Sequence, residues 1–253
     1  MADRGRVGNA GWRSSLVALL AGAAAWELAG RLLRFSFLPP FSTVVGASWE
    51  LIQSEAILGH LSVSLVSLAI GFVPAVALGL TLGALMGRFQ HVEYLFDPYL
   101  HALLATPNLI FVPILFALFG VGRGTQAAIV FLYAFFVIVS NTMAGVRASD
   151  AGLMEMARSF GANRRQAFLT IVVPGALPLV MAGLRLGMAR AVKGMINGEM
   201  FIALMGLGAL IRSYGGRFEA DKVLGVLLLV NVVAVACVGL LQALDRRLMR
   251  WAD

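Results

Sequence analysis

The stretch that decides the fold is AILGHLSVSLVSLAIGFVPAVALGLTLGALMG, residues 56–87. None of its 32 residues is Asp, Glu, Lys or Arg. A helix needs about 20 consecutive apolar residues to cross the hydrocarbon core of a bilayer. The stretch therefore predicts a transmembrane helix, and similar charge-free stretches elsewhere in the chain predict further ones.

Five more apolar stretches complete the predicted set of spans. Three of them contain no charged residue over 22 to 25 positions: 98–122, 124–146 and 223–244. A fourth, 14–30, is interrupted only by Glu27, and a fifth begins after Arg165 and is apolar overall although it carries several charges. We therefore predict an all-α, polytopic membrane protein in which residues 1–253 form a single domain of six transmembrane helices.

The composition agrees with a membrane protein and excludes two other classes. Hydrophobic residues make up 60% of the chain and charged residues 13%, whereas a soluble domain has about 45–50% and roughly 25%. A disordered chain needs few apolar residues and much charge. The single cysteine, Cys237, excludes a disulfide within the chain and a cysteine-based zinc site. The three histidines share no spacing typical of metal ligands, so no metal site is expected.

The distribution of Lys and Arg among the connecting segments predicts the orientation in the membrane. With the N-terminus in the cytoplasm, the inner segments carry 11 basic residues and the outer segments 6, leaving out three within the fifth span. Because short loops rich in Lys and Arg stay on the cytoplasmic side, both termini are predicted to be cytoplasmic. The first span has no clear cleavage site after it and further spans follow, so we expect it to be retained rather than removed as a signal peptide.

Three connecting segments have a pattern of their own. After Pro39–Pro40, which cannot continue a helix, Ser42 or Thr43 could cap a short outer helix. Residues 201–216 have an apolar core too short to span, which predicts a re-entrant or interfacial piece at the outer face. Residues 88–107 predict an amphipathic helix along the inner surface that leads into the third span.

The longest inner connection, residues 147–174, has the periodicity of a short amphipathic helix. Its apolar residues fall on one helical face, which we expect to point away from the protein's own spans: Leu153, Met154, Ala157 and Phe160. The periodicity alone would also fit a helix lying on lipid.

The same connection contains the signals for a turn and a second helix. Asp150 can cap the start of the first helix, and Gly161 can turn the chain in a left-handed conformation. A second helix can then begin at Asn163, and Pro174 is expected in the first turn of the next span.

The exact spacing in this connection is more specific than its periodicity. It has Glu-Met-Ala at 155–157, Gly161, Ile171 and Val-Pro at 173–174. This resembles the EAA signature of ATP-binding-cassette (ABC) importer permeases, EAA-x3-G-x9-I-x-LP, with two mild apolar replacements, Ala to Met and Leu to Val. Three further blocks resemble the subfamily that imports nitrate, aliphatic sulfonates and taurine: LPP at 38–40, TPNLIFVPILFALFGVGRGTQAAIVF at 106–131, and GEMF with GLGALI within 198–211.

The resemblance implies a fold, partners and a role for the inner connection. The implied fold is the six-helix type I importer permease, multi-pass in the bacterial inner membrane, working with two ATPase subunits and an external solute-binding protein, which is periplasmic or lipid-anchored. ATP and Mg²⁺ would bind the ATPase subunits, so no cofactor is expected in this chain. The coupling residues it implies are those already named for the connection: Leu153, Met154, Glu155, Ala157, Phe160, Gly161 and Pro174. We call residues 147–174 the coupling loop. The implied solute is a small anion, with uncharged and heterocyclic compounds left open.

One chain supplies one coupling loop, whereas two ATPase subunits need two docking sites. We therefore expect a homodimer, the commonest closed assembly, with a heterodimer as the alternative. Small residues such as GALMG, 83–87, would let helices approach one another closely.

No motif predicts chemistry carried out by the chain itself. It has no G-x-x-x-x-G-K-[ST] phosphate-binding loop, no G-x-S-x-G and no H-E-x-x-H. The competing functional class is a secondary transporter or channel driven by an ion gradient, which should show an internal repeat with acidic residues at the membrane midplane. We find no convincing repeat. A lipid-modifying enzyme is a weaker alternative that lacks a catalytic set.

The fifth span carries the candidate solute path. Arg190, Lys193 and Asn197 are spaced i, i+3 and i+7, which places them within about 60° on one helical face; we call this face the basic stripe. Glu199 follows close to it. Charged side chains within a span usually face a bundle interior or a wet cavity, so these four residues are predicted to line the path. Alternatively, the side chains of the stripe extend to the membrane–water interface, or they pair with Glu199 and the partner chain in a purely structural contact.

Overall fold

The computed structural model describes residues 7–33, 35–148, 151–202 and 205–249. Within these ranges the chain is helical, with no β-strand. The α-helices are α1 Val7–Leu33, α2 Phe41–Gln53, α3 Glu55–Arg88, α4 Gln90–Ala105, α5 Phe111–Phe119, α6 Arg123–Arg147, α7 Ala151–Ser159, α8 Arg164–Ala167, α9 Val173–Ile202, α10 Leu207–Gly216 and α11 Ala220–Leu248. A 3₁₀ turn, Asn108–Ile110, precedes α5, and a π-helical segment, Phe168–Val172, joins α8 to α9.

Five helical stretches in the described ranges are long and apolar enough to cross a membrane. They confirm five of the six predicted spans and are Ser14–Leu33, Ile57–Arg88, Arg123–Arg147, Arg164–Phe201 and Ala220–Leu248. The predicted all-α membrane fold is therefore confirmed.

The third predicted span, 98–122, is not one continuous helix. The amphipathic helix predicted before it is present as α4, but α4 continues only to Ala105, and the helical pair Gln90–Ala105 and Asn108–Phe119 is bent by 91°. Pro107 explains the break, because a residue preceding proline is disfavoured in the α-helical region, and Thr106 is extended with ψ 132°. The sixth span exists only if this bent pair crosses the bilayer as one unit.

The chain divides into two compact units. The first consists of residues 1–58 and 210–230, of which the structure describes all but 1–6 and 34. Here α1 and α2 pack through Trp26, whose Nε1 donates to the carbonyl of Pro39 at 3.1 Å. The short helix predicted after Pro39–Pro40 is confirmed as α2. The single domain predicted over 1–253 stays a prediction.

The predicted capping of α2 is wrong. Pro40 occupies the N-cap position, and no side chain of the cap accepts a hydrogen bond. Instead, Glu27 of α1 accepts from the backbone N–H of Ser42 at 2.8 Å and from its hydroxyl at 2.9 Å. An acidic group at a helix start satisfies a free amide and complements the helix dipole, so the acceptor comes from a neighbouring helix rather than from Ser42 or Thr43.

The second unit consists of residues 59–209 and 231–253, and α6 is at the centre of its described part. Glycines of α3 and glycines of α9 both lie against α6, and Ile138 meets one from each helix. A Cβ added to any of them would come within 3.1 Å of an atom of α6: Gly71, Gly79, Gly83 and Gly87 in α3; Gly183, Gly187, Gly194 and Gly198 in α9.

These contacts define a three-helix core with a fixed register. Along α3, Gly79, Gly83 and Gly87 meet Ile138, Thr142 and Val146 in turn, so α3 and α6 run parallel. Along α9 the partners follow in the reverse order, so α9 is antiparallel to α6. Small residues let membrane helices pack closely where apolar burial gives little driving force. The close approach predicted for GALMG is confirmed, and its partner is α6 of the same chain.

Residues 201–216 contain the helix α10, apart from the undescribed positions 203–204. Its 10 residues are too few to span. Gly206 immediately before it has φ 105°, a left-handed conformation that glycine adopts without strain.

Candidate functional site

The coupling loop begins with α7 and turns at Gly161 as predicted. Gly161 has φ 81°; its N–H donates to the carbonyl of Arg158 at 2.9 Å, and the N–H of Ala162 donates to Ala157 at 2.9 Å. This pair of bonds is a Schellman motif, which satisfies free carbonyls at a helix end and needs a left-handed residue. The predicted cap of α7, Asp150, lies outside the described residues.

The second helix begins where Asn163 predicts it. Asn163 accepts from the N–H of Gln166 at 2.8 Å, and Gln166 accepts from the N–H of Asn163 at 2.9 Å, which forms a capping box. The helix does not stop before the next span. α8, the π-helical segment and α9 form one run, Arg164–Phe201, of 38 residues.

Pro174 lies in the first turn of α9, as predicted, but α9 continues a helical run that has already begun. It is the second residue of α9, directly after the π-helical segment Phe168–Val172. A proline within a helix removes one hydrogen bond and crowds the preceding turn, and π-bulges are a common site of such local adjustment. The loop thus continues into the fifth span without a break.

The apolar face of α7 is divided between two environments. Met154 packs against the buried cluster of Val146, Val172 and Ala176 at the ends of α6 and α9. The prediction that the whole face points away from the protein's own spans is therefore wrong for Met154. Leu153 is exposed, and Phe160 is 84% exposed.

The outward surface of the loop differs from the predicted face, because Met156 joins it while Met154 and Ala157 are partly buried. Met156, which replaces the alanine of the family signature, is half-exposed beside Leu153. Glu155 is exposed and Ala157 is partly buried. Leu153, Met156 and Phe160 together form an apolar surface on the loop, which we call the apolar patch.

Two charged contacts hold the loop end of the core. Arg147, the last residue of α6, forms an ion pair with Glu93 of α4. The Arg88 guanidinium lies 6.0 Å from the centre of the Phe168 ring, a cation–π distance. The ends of α3, α6 and the run containing α9 are thus gathered next to the coupling loop.

The basic stripe lies on the exposed side of α9. Arg190 and Lys193 are exposed, and neither forms an ion pair or hydrogen bond with another residue of the described ranges. Asn197 is partly buried and donates from Nδ2 to the Tyr133 hydroxyl at 3.0 Å. The glycines that contact α6 lie on the neighbouring face of α9, and Asn197 bonds to Tyr133, the same residue of α6 that Gly194 meets.

Glu199 is separated from the stripe. Its side chain is 0% exposed and accepts from Nε2 of Gln126 and from the N–H of Gly208, each at 2.8 Å. In this conformation the carboxylate faces the protein interior rather than the exposed side of α9.

Comparison with known proteins decides the family. The profile described as "Binding-protein-dependent transport system inner membrane component" matches residues 75–250. The chain belongs to this family. It is an ABC transporter permease, a multi-pass subunit for transport, as the EAA resemblance implies.

Two curated relatives resemble the permease over most of its length. A Bacillus subtilis (strain 168) protein named as an aliphatic sulfonates transport permease, SsuC, is 30% identical over 96% of this chain and 89% of its own. The taurine transport system permease protein TauC of Escherichia coli (strain K12) is 28% identical over 89% of this chain and 84% of its own. These relatives agree with the predicted subfamily.

A solved structure supports the fold of the permease. The crystal structure of an amino acid ABC transporter with histidines matches with a TM-score of 0.60 and 20% identity, and the match covers 74% of this chain and 92% of that chain. Among the residues that the structure of the permease describes, no group of three or more His, Cys, Asp or Glu side chains could hold a metal ion.

The ion pair between Arg185 and Asp245 of the permease was not predicted. Arg185 Nη1 donates to Asp245 Oδ2 at 2.9 Å, and the Asp245 side chain is only 6% exposed. The sequence separates Arg185 from the basic stripe, because it lies about 140° from Arg190 around the helix. It offers no signal for the partner, which is 60 residues away in α11.

Proposed function

We propose that the permease forms, as a homodimer, the translocation path of an ATP-driven importer for a small anionic solute such as an organic sulfonate. The observation that carries the proposal is the basic stripe, since Arg190 and Lys193 are exposed on a long apolar helix without an ion-pair partner among the described residues. The sulfonate and taurine names of two relatives support the solute class.

The position of the stripe makes contact with lipid costly. Lys193 is nine residues before the end of α9 at Ile202, which is about 14 Å along a helix, close to half the thickness of the hydrocarbon core. Each basic side chain at that depth costs about 2.5–3.5 kcal/mol on the insertion scale. A water-filled path between two copies, entered by an anion, would remove that cost and use both charges.

The coupling loop supports the assignment of the partners. Leu153, Met156 and Phe160 offer an apolar patch that a groove on an ATPase subunit would cover, as in other helix-in-groove contacts. Two ATPase subunits need two such loops, which favours two copies of this chain. ATP and Mg²⁺ would bind those subunits, the termini and the coupling loop would be cytoplasmic, and an external binding protein would deliver the solute to the other face.

Removing both charges of the stripe should weaken transport without disturbing assembly. In the double variant Arg190→Ala and Lys193→Ala, uptake of an anionic aliphatic sulfonate into proteoliposomes is expected to fall about tenfold or more, the effect of losing about 1.4 kcal/mol of interaction with the anion. The measurement is initial uptake rate, with subunit stoichiometry and basal ATP hydrolysis recorded on the same preparation. The matched control, Arg190→Lys with Lys193→Arg, keeps both charges and should retain most of the uptake.

Two outcomes would contradict the role of the stripe in the path. Unchanged uptake by the alanine variant would mean that both side chains extend to the interface and are not used. Dissociation of the complex in the alanine variant, with the charge-preserving control intact, would mean that the stripe is a structural lock between subunits.

A further inference from the structure

A buried polar network joins the start of α10 to the three-helix core. The Glu199 carboxylate of α9 accepts from Gln126 of α6 and from the N–H of Gly208, each at 2.8 Å. The hydroxyl of Ser67 in α3 donates to Oε1 of Gln126 at 2.8 Å. Ser64, one turn earlier in α3, accepts from the N–H of Leu207 at 3.0 Å. We call these groups the clasp.

The ring of His60 extends the clasp by one residue. Its Nδ1 lies 3.0 Å from the carbonyl oxygen and 3.1 Å from the N–H of Gly206. Three consecutive residues before and within the first turn of α10 are thus held by side chains of α3 and α9. Free amides at a helix start need acceptors, and here they are supplied from other helices.

The sequence Gly206-Leu207-Gly208 is required by this geometry. Gly206 has φ 105°, and a Cβ there would overlap the Glu199 carboxyl group. A Cβ on Gly208 would lie 2.5 Å from the carbonyl oxygen of Ile196. Only a backbone without side chains at both positions can approach the buried carboxylate so closely.

The clasp and the coupling loop lie at opposite ends of the same three helices. Gln126 is near the start of α6 and Val146 near its end, about 30 Å apart along a helix. Glycine contacts of constant register hold α3, α6 and α9 together over this length. A body packed in this way moves as a unit, because close-packed interiors transmit displacement rather than absorb it.

We propose that Glu199 is a positioning residue that ties the start of α10 to the three-helix core, so that arrival of the loaded binding protein on that face is transmitted to the coupling loop. The proposal rests on the proposed function, since it needs an external binding protein and an ATPase. It assigns Glu199 to communication between the two faces rather than to contact with the solute.

The hydrogen bond between Gln126 and Glu199 allows a test in which the two side chains are swapped by mutation. In Gln126→Glu, two carboxylates face each other in a buried site, and the stimulation of ATP hydrolysis by the taurine-loaded binding protein is expected to fall about fivefold or more relative to basal hydrolysis. Adding Glu199→Gln should restore it. In the double variant, the carboxylate at position 126 can accept from Ser67 and from the side-chain amide at position 199. The oxygen of that amide can in turn accept from Gly208.

The ratio of stimulated to basal hydrolysis separates communication from stability. A purely structural role would lower the amount of intact complex and leave the ratio of the surviving complex unchanged, and that result would overturn the proposal. Failure of the double exchange to restore the ratio would also overturn it, since it would mean that the carboxylate is needed at position 199 itself. If Gln126→Glu does not insert, Ser64→Ala removes the acceptor for the N–H of Leu207 and the hydroxyl that bonds to Glu199. This variant should lower the ratio in a well-folded complex, and an unchanged ratio there contradicts the clasp.

The proposed function and the clasp fail in different ways. If the wild-type complex shows no stimulation by a loaded binding protein, the proposed function is wrong. If the loaded binding protein stimulates the wild-type complex and the single variants to the same extent, the proposed importer function is retained and the proposed role of Glu199 is wrong.

Discussion

Replacing Gly161 by valine is expected to abolish ATP-driven uptake while the permease still reaches the membrane at a near-normal level. Gly161 has φ 81°, and a β-branched residue adopts that region only with strain. No atom lies within 4 Å of an added Cβ, so the effect is conformational and confined to the turn. The Schellman bonds to Ala157 and Arg158 would be lost, and with them the placement of the apolar patch.

Two variants make this result specific. Gly161→Asn should keep part of the uptake, because asparagine tolerates the left-handed conformation better than other side chains. Gly175→Val provides the matched control, since Gly175 is also a glycine with open space around an added Cβ but lies in α9 without a positive φ. Uptake by Gly161→Val as fast as by Gly175→Val would refute the role of the turn in coupling.

The second large effect is expected at the contact between α3 and α6. In Gly83→Ala, the added methyl group would lie 2.6 Å from the carbonyl oxygen of Val139 and 2.6 Å from Cβ of Thr142. The backbone oxygen cannot move aside as a flexible side chain could, so the helices must separate. Overpacking of this kind costs about 1–3 kcal/mol, and the thermal stability and amount of the purified complex should fall.

A glycine-to-alanine substitution elsewhere in α3 should raise the thermal stability rather than lower it. Gly59 has no atom within 4 Å of an added Cβ, so Gly59→Ala gains helix propensity of up to about 1 kcal/mol without a clash. Melting curves of the two detergent-solubilised variants are compared with the wild type. Equal melting temperatures for Gly83→Ala and Gly59→Ala would contradict the glycine-lined core.

The sequence predicts the spans well because the physical cause is local. A charged side chain at the centre of a membrane helix costs about 2.5–3.5 kcal/mol, so spans contain few charges, and the charge-free stretches reflect that cost directly. The bent pair is different, since residues 98–122 are free of charge but Pro107 interrupts them. Proline alone is not decisive, because Pro74 and Pro178 lie inside continuous helices.

The coupling loop shows what a motif can and cannot specify. The turn at Gly161 and the cap at Asn163 depend on neighbouring residues, and both were predictable. The direction of Met154 depends on the distant residues Val172 and Ala176, so periodicity placed it on the same face as Leu153 without separating their surroundings. The continuous helix through Pro174 depends on the π-helical segment, which has no simple sequence signal.

The position of Glu199 could have been inferred more fully from the sequence. At 100° per residue, Glu199 lies about 180° from Arg190 around α9, on the face opposite the basic stripe. Its partners could not be inferred, because Gln126 is 73 residues away and Gly208 is reached through the turn at Gly206. Likewise, the pairing of Arg185 with Asp245 requires the packing of α11.

The most direct test of the central claim is the energy requirement for uptake. The permease is purified with its ATPase subunits and reconstituted into proteoliposomes, and uptake of labelled taurine from the loaded binding protein is measured with and without ATP at the ATPase face. We predict uptake with ATP, none without ATP, and none by the permease reconstituted alone under an imposed proton or sodium gradient. Gradient-driven uptake by the permease alone would contradict the account, because it would make the chain a secondary transporter.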